Sequence, residues 1–189
     1  MLYRNMEEIL SEGVSGDFKL EKFEVKKTDL RAALEGIPPG QYIRLLHKNT
    51  IVMSNTPMEK ITNLGFIRKA FGDILIGGLG IGLIIFPLLD NDVIKSITVV
   101  EKYEDVIKLV ASQISFDKRL TVINDDIFLH TPQCQYDCIY LDIWSFINED
   151  VYLEMKSLKK RYQKHLKINK DSFISCWAED EAKNGRKLY

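Results

Sequence analysis

The sequence Asp73-Ile-Leu-Ile-Gly-Gly-Leu-Gly-Ile-Gly82 decides the fold of this chain. Its apolar residues lead into a glycine cluster, and a second apolar run, Leu83-Ile-Ile-Phe86, follows. This order predicts a strand, a tight turn and the start of a helix. Glycines at 78, 80 and 82 can adopt positive φ and let a ligand approach the backbone closely, with the N-terminus of the following helix aimed at it.

A second predicted strand, Val99-Val100-Glu101, ends in an acid nineteen residues after Gly82. In dinucleotide-binding folds a carboxylate about 20 residues beyond the glycine loop reaches a ribose hydroxyl. Two simpler interpretations of the apolar stretch are a membrane span and a buried strand and turn without a ligand. Residues 74–89 are too short for a span, which needs about 20 apolar residues, and they contain glycines and Pro87.

The composition excludes several classes of protein. The chain has 189 residues, of which 46% are hydrophobic and 28% are charged, and its formal net charge is −1. Such a chain can bury a core, and it has no overall attraction for nucleic acid or an anionic membrane. The first eight residues have no apolar central region, so no signal peptide is predicted.

The cysteines and histidines indicate the compartment and argue against a metal site. The chain has three cysteines, an odd number without a Cys-x-x-Cys pair: Cys134, Cys138 and Cys176. This usage is typical of a reducing compartment, so a cytoplasmic location is predicted. The three histidines lie far from any paired ligand spacing, so no metal ligand is assigned.

The best candidate boundary in the chain is the cluster Pro38-Pro39-Gly40. Residues 1–40 are predicted to form a small N-terminal α+β appendage, with a half-buried strand over 18–25 that could cover the site. Residues 41–189 are predicted to form a cofactor-binding domain, into which a hairpin over 41–54 leads.

The main domain is predicted to be α/β, because strands and helices alternate along it. A helix starting near Pro57 delivers the chain to the first strand. The further predicted strands are 73–76, 97–100, 120–123, 137–142 and 173–177, and the helices are 81–89, 103–111 and 150–166. This alternation predicts a mostly parallel sheet with right-handed crossovers and a ligand site at the carboxyl ends of the strands. Pro87 should kink or end its helix.

Polar residues follow each of these strands. Glu101 can accept paired hydrogen bonds from a ribose diol. Asp125 or Asp126, after the third strand, suits an adenine amine, and a solvated turn that caps the next helix is an equally good interpretation. Asp142 stands at the rim of the core, where an unpaired charge would be costly, which indicates a functional carboxylate.

Taken in this order, these residues resemble the Rossmann-like (class I) S-adenosylmethionine-dependent methyltransferases, and within them the branch that includes spermidine synthase. The resemblance covers residues 53–145 and is densest at 53–59, 74–82, 99–107, 122–126 and 136–144.

The resemblance implies S-adenosyl-L-methionine as the cofactor. Its methionine and ribose part would pack on the glycine loop, with its ribose hydroxyls on Glu101, beside Lys102. The acid after the third strand would contact adenine, and Asp142 would face the acceptor. A nicotinamide-dependent oxidoreductase is the weaker alternative, because Leu83 stands where Gly-x-Gly-x-x-Gly, counted from Gly78, has its last glycine.

The chain also departs from the family pattern. Ile76 stands where many methyltransferases carry an acid, and Ile81 stands where spermidine synthases carry a loop aspartate. Ser145 stands where aminopropyltransferases have a second aspartate, which helps to deprotonate an amine, so polyamine aminopropyl transfer is a further, weaker alternative. Only twelve residues follow Trp177, so the fold is expected to lack the last two strands of the usual methyltransferase sheet.

The predicted function is methyl transfer to an unidentified acceptor. Asp142 would orient or deprotonate the acceptor, and Trp144 would form a wall of its pocket. Glu59, in the first turn of its helix, would cover the amino-acid end of the cofactor or simply complement the helix dipole. The rival interpretation is a non-catalytic nucleotide-binding module.

Two surfaces bear on partners. Residues 156–170 are strongly basic and lie on a predicted amphipathic helix. A solvated helix face is the favoured interpretation, with nucleic-acid contact as the alternative. Apolar positions in the hairpin 41–54 could form the interface of a homodimer. No membrane partner is predicted.

Overall fold

The computed structural model describes residues 2–114 and 117–185, and these residues form two sheets. The first sheet is antiparallel, with four strands in the order β1-β2-β3-β4. Its strands are β1 (Gly13–Ser15), β2 (Phe18–Val25), β3 (Gly40–His47) and β4 (Thr50–Ser54). Helix α1 (Met6–Ile9) precedes this sheet, and α2 (Leu30–Leu34) connects β2 to β3.

The hairpin of β3 and β4 continues the sheet begun by β2. β3 pairs with β2 along its whole length, so the strand pairing joins residues on both sides of residue 40. Between β3 and β4, Lys48 and Asn49 both have positive φ, of 48° and 67°. This is the backbone conformation of a two-residue type I′ turn, whose twist matches that of a hairpin.

The second sheet is parallel and contains the glycine-rich stretch. Its strands are β5 (Gly72–Gly77), β6 (Ile94–Glu101), β7 (Leu120–Asn124), β8 (Cys138–Leu141) and β9 (Phe173–Cys176). The spatial order β7-β6-β5-β8-β9 corresponds to 3-2-1-4-5 within this sheet, and every pairing is parallel. This is the order of the Rossmann fold. The predicted α/β Rossmann-like fold is therefore confirmed.

The helices of this part are α3 (Pro57–Lys69), α4 (Ile85–Leu89), α5 (Glu104–Val110), α6 (Glu149–Tyr162) and α7 (Glu179–Lys183). α3 has proline at its first position, as the sequence predicts. α6 buries the predicted apolar stripe of Val151, Met155, Leu158 and Tyr162, so its basic residues lie on the other faces. No described helix is long and apolar enough to cross a membrane.

The prediction of a helix over 81–89 is wrong in its first half. Two successive turns follow β5 instead, closed by bonds from Gly82 N to the Leu79 carbonyl (2.9 Å) and from Ile85 N to the Gly82 carbonyl (3.1 Å). Helix α4 starts only at Ile85 and has five residues. The φ of 71° at Gly82 is incompatible with a right-handed helix. The glycine cluster is therefore a loop, and helix α4 begins three residues after its last glycine.

The two sheets share one hydrophobic core. Met6, Leu20 and Ile43 from the N-terminal part are fully buried and belong to the same cluster as the central strands. Ile76 and Ile81, which replace acids of the family pattern, are also buried in it, with exposed fractions of 1% and 0%. Ile76 and Ile81 therefore contribute to the packing of the core. The shared core holds the antiparallel sheet against the parallel one.

Candidate functional site

A cleft of about 1070 Å³ opens between the antiparallel sheet and the carboxyl ends of the parallel strands. It lies where the strand order reverses, since β5 has β6 on one side and β8 on the other. Ligands of open α/β sheets bind at this position. The parallel part contributes residues at or just after the ends of β5 to β9 and at the start of α3, and the opposite wall comes from β2, α2, β3 and β4.

Two glycines bring the backbone directly to the cleft. Gly78 has a φ of 95°, and a Cβ there would collide with the carbonyl oxygen of Asp142. Gly80 has a φ of 52°, and a Cβ there would collide with Sδ of Met53. The Met53 sulfur also accepts a hydrogen bond from the Ile81 N–H at 3.4 Å. The predicted positive φ is thus observed, and a methionine from β4 holds the loop.

Glu101 ties the glycine loop to the end of β6. Its carboxylate is buried, with Oε2 accepting the Leu79 N–H and Oε1 accepting the Tyr103 N–H, each at 2.8 Å. Burial raises the pKa of Glu101, and the backbone hydrogen bonds oppose this shift. Each carboxylate oxygen has a second lone pair, so Glu101 can still accept hydrogen bonds from a ligand in the cleft that it lines.

Of the two aspartates after β7, the structure brings Asp126 to the cleft. Its Oδ2 pairs with the Lys102 ammonium at 2.9 Å, and its Oδ1 accepts the Phe128 N–H at 2.9 Å. The hydrogen bond from Lys102 is the main cause of the lowered pKa of Asp126. Asp125 instead binds Nδ1 of His130 at 2.8 Å and does not line the cleft.

Asp142 and Glu59 form a pair of carboxyl groups in the cleft lining. The N–H of Asp142 binds the Gly77 carbonyl at 2.8 Å, which fixes the residue beside the glycine loop. Its side chain is partly open to the cleft, but the surrounding protein raises its pKa to about 7. Burial, and then the charge of Asp142, raise the pKa of Glu59 to about 8. Both carboxyl groups therefore gain and lose a proton near neutral pH.

A buried polar chain fixes the helical turn that carries Glu59. Asn63 donates to the Glu59 carbonyl at 2.8 Å, and the Tyr140 hydroxyl donates to Asn63 Oδ1 at 2.9 Å. Tyr140 stacks on Phe66 with ring centroids 4.2 Å apart. Because every member is buried and bonded, the N-terminus of α3 is held rigidly against β8.

Aromatic side chains form the wall next to Asp142. Trp144 lines the cleft and donates its Nε1–H to Glu154 Oε2 at 2.5 Å. Trp177 also lines it, is almost fully buried, and donates to Thr62 Oγ1 at 3.0 Å. The loop after β8 adds Phe146, which is 54% exposed. This part of the cleft is therefore apolar around two carboxyl groups.

The structure brings together eight of the ten residues that the sequence predicted for the site. Those that line the cleft are Glu59, Gly78, Gly80, Glu101, Lys102, Asp126, Asp142 and Trp144. Asp125 is outside it, and Gly82 faces the core, where a Cβ would collide with Ile114. Sequence reasoning missed Met53 and Trp177. Met53 lies within the segment 53–59 that carries the family resemblance, but only its contact with Gly80 in the structure shows its role.

Replacing Glu59 by Gln is expected to remove part of the pH dependence of stability. The pKa of Glu59 is about 8 in the folded protein against an ordinary value of 4.5, so the native state holds a proton that the unfolded chain releases. The free energy of unfolding should therefore fall as the pH rises between these values. From about pH 5 to about pH 8, the wild type should lose a few kcal/mol more than Glu59→Gln.

Urea unfolding of both proteins at the two pH values measures this difference. Glu149→Gln, at an exposed position in the first turn of α6, is the matched control and should follow the wild type. Parallel curves for the wild type and Glu59→Gln would show that Glu59 titrates normally.

Comparisons with known proteins find similarity only among solved structures. No protein-family model matches the chain, and no curated protein matches it. The structure of DhpI with SAH has 17% identity and a TM-score of 0.46, with 62% of this chain and 54% of that chain covered.

Two N-methyltransferases are also among the matches. NodS from Bradyrhizobium japonicum WM9 has 18% identity and a TM-score of 0.47, with 60% of this chain and 65% of that chain covered. The glycopeptide N-methyltransferase MtfA, complexed with S-adenosyl-L-methionine, has 15% identity and a TM-score of 0.44, with 58% and 46% covered. The matched regions thus span 46% to 65% of the length of these three proteins.

Proposed function

We propose that the cleft binds S-adenosyl-L-methionine and that the protein transfers its methyl group to an acceptor held beside Asp142. The observation that carries this proposal is the line of Gly78, Glu101 and Asp126 along the carboxyl edge of β5, β6 and β7. Glycine backbone without a side chain, a buried carboxylate and a second carboxylate follow one another there. These groups match, in order, an amino-acid chain, a ribose diol and an adenine amine.

The residues present fit this cofactor. Gly78 and Gly80 line the cleft with backbone that carries no side chain, and the positions that their Cβ atoms would take are filled by the Asp142 carbonyl oxygen and Met53 Sδ. Glu101 is preoriented by its two backbone hydrogen bonds and keeps acceptor capacity for two hydroxyls. Asp126 is held by Lys102 and the Phe128 N–H. The cofactor, when bound, supplies an electrophilic methyl group on a sulfonium.

The chain's own residues orient the acceptor and exclude water. Asp142, with a pKa of about 7, is partly ionised at neutral pH and can take a proton from an acceptor. Trp144 and Trp177 form apolar walls around it. Methyl transfer depends chiefly on alignment, and a rigid wall next to a positioned carboxylate supplies that alignment.

The finer assignments are proposals as well. The relationship to the spermidine synthase branch rests on the quoted motifs, and Ser145, which lines the cleft without a carboxylate, favours methyl over aminopropyl transfer. A cytoplasmic location agrees with three free cysteines, of which Cys138 and Cys176 are buried. We also propose that residues 1–40 cover the site, since β2 and α2 contribute to its wall.

Calorimetric titration with S-adenosylmethionine and S-adenosylhomocysteine tests the proposed cofactor. The wild type should bind both, and Glu101→Gln should bind about 10- to 100-fold more weakly, as expected for the loss of hydrogen bonds to a charged group. Thermal unfolding of the variant shows whether the loss reflects misfolding. Glu149→Gln should bind like the wild type. Binding of NAD in place of both ligands would favour the oxidoreductase alternative.

A further inference from the structure

The cleft carries an excess of negative charge. Its lining contains seven carboxyl groups and three side chains that are cationic at neutral pH. The carboxyl groups are Glu24, Asp29, Glu35, Glu59, Glu101, Asp126 and Asp142, and the cations are Arg31, Arg44 and Lys102. When Glu59 and Asp142 are ionised, one bound sulfonium would neutralise only part of this excess, so the remainder acts on the acceptor.

Each of the three cations is already paired. Arg44 binds Glu21 at 2.6 Å, Arg31 binds Glu35 at 2.9 Å, and Lys102 binds Asp126 at 2.9 Å. Among the described lining residues, no cation is left to neutralise a carboxylate or phosphate on an acceptor. An anionic acceptor would therefore meet only repulsion near Asp142.

Among the described residues, the lining carboxyl groups without an ion pair are Glu24, Asp29, Glu59, Glu101 and Asp142, of which Glu24 and Asp29 are exposed to solvent. Glu59 is 8% exposed, and neither Glu59 nor Asp142 has an ion pair within residues 2–114 and 117–185. Glu101 differs, because two backbone N–H groups stabilise its carboxylate, whereas Glu59 has one backbone hydrogen bond, from Ser54. A buried carboxylate pair is costly unless a cation or a proton joins it. The aromatic wall of Trp144 and Trp177 also favours a cation.

We propose that the methyl acceptor is a cationic amine on an apolar body, with its ammonium group held by Glu59 and Asp142. This inference rests on the proposed methyl transfer. The apolar body would occupy the region of Trp144, Phe146 and Phe23, which line the cleft. The second carboxyl group near Asp142 is that of Glu59, which comes from α3.

The amine must lose a proton before it can react. The carboxylate of Asp142 takes a proton from the ammonium, which frees the lone pair of nitrogen. That lone pair forms the N–CH₃ bond while the C–S bond breaks, its electron pair stays on sulfur, and the positive charge passes from sulfur to nitrogen. Carboxyl groups with pKa values of about 7 and 8 suit this transfer better than ordinary ones, because they are stronger bases.

Three probes of similar shape test the charge preference by binding alone. Protein saturated with S-adenosylhomocysteine is titrated with 2-phenylethylamine, 2-phenylethanol and 3-phenylpropanoate in a calorimeter. The amine should bind at least about tenfold more tightly than the alcohol, and the carboxylate should not bind measurably. Glu59→Gln and Asp142→Asn should each weaken amine binding about tenfold and leave alcohol binding unchanged.

The controls separate local from overall charge. Glu149→Gln and Asp150→Asn each remove one exposed carboxylate from the first turn of α6 and should leave amine binding unchanged. All variants are first titrated with S-adenosylhomocysteine. A loss of that affinity in Glu59→Gln would assign Glu59 to the cofactor and overturn its place in the amine site.

The outcomes distinguish this inference from the proposal on which it rests. Three outcomes overturn the amine acceptor and leave methyl transfer standing, provided that S-adenosylhomocysteine binds normally. The amine and the alcohol bind equally, the carboxylate binds more tightly than the amine, or none of the probes binds. No binding of S-adenosylhomocysteine by the wild type overturns both.

Discussion

Replacing Gly78 by alanine is expected to destabilise the protein by about 2 to 5 kcal/mol, the sum of a backbone and a packing cost. Gly78 has a φ of 95°, which an L-residue with a side chain adopts only under strain. Its new methyl group would also collide with the carbonyl oxygen of Asp142, a backbone atom at the end of β8. β8 is hydrogen-bonded to β5 along its length, so neither strand can move away without breaking the centre of the sheet.

Urea unfolding of Gly78→Ala and Gly65→Ala measures this effect against a matched substitution. Gly65 lies within α3, and no atom is within 4 Å of the position that a Cβ would take there. Alanine should therefore stabilise α3 by up to about 1 kcal/mol through its higher helix propensity. A stability of Gly78→Ala within about 1 kcal/mol of the wild type would show that the loop relaxes and that its tight approach to Asp142 is unimportant.

Asp142→Asn is expected to lower the rate of methyl transfer to 2-phenylethylamine by about 10²- to 10⁴-fold, the usual contribution of a general base. The affinity for S-adenosylhomocysteine should stay within a few-fold of the wild type, because the substituted residue would keep its backbone hydrogen bond to the Gly77 carbonyl. In the wild type the pH profile of the rate should have an inflection where Asp142 ionises, around its pKa of about 7, and the variant should lack this inflection.

Formation of S-adenosylhomocysteine, followed from about pH 5 to pH 9, provides the measurement. Asp150→Asn should keep the wild-type rate and pH profile, because its carboxylate is exposed and outside the cleft. An unchanged rate in Asp142→Asn would remove this residue from the mechanism. Cofactor binding without turnover in the wild type would favour a non-catalytic binding module.

The sequence predicts those parts of the fold that are determined by residues close to one another along the chain. β5, the loop of Gly78 and Gly80, and the acid at the end of β6 follow one another within a single strand-loop-helix-strand unit. The chain length of that unit fixes the position of Glu101 relative to the loop, so spacing alone identifies it. Likewise, β2 is predicted over its observed range by its alternation of apolar and charged residues.

The predicted helix start at residue 81 was wrong because apolar composition does not distinguish buried turns from a buried helix. Ile81 and Leu83 are fully buried in either case, and only the φ of Gly82 decides between them. β1 and α7, of three and five residues, are too short to show a period in sequence.

The carboxyl pair of the site could not be predicted, because it depends on tertiary packing. Glu59 and Asp142 are 83 residues apart, and their electrostatic coupling arises only when α3 packs beside the end of β8. Met53 is similar, since its contact with Gly80 joins the antiparallel sheet to the parallel one. Sequence reasoning thus identified Asp142 and Glu59 as separate candidates, and the structure places both in the cleft lining, where the charge of Asp142 acts on Glu59.

The most direct test of the central claim is a crystal structure of the protein with S-adenosylhomocysteine bound. We expect its amino-acid chain on Gly78 and Gly80, its ribose hydroxyls on Glu101 and its adenine beside Asp126, with the sulfur directed toward Asp142. Density for the ligand outside this cleft, or within it but away from Glu101, would contradict the account.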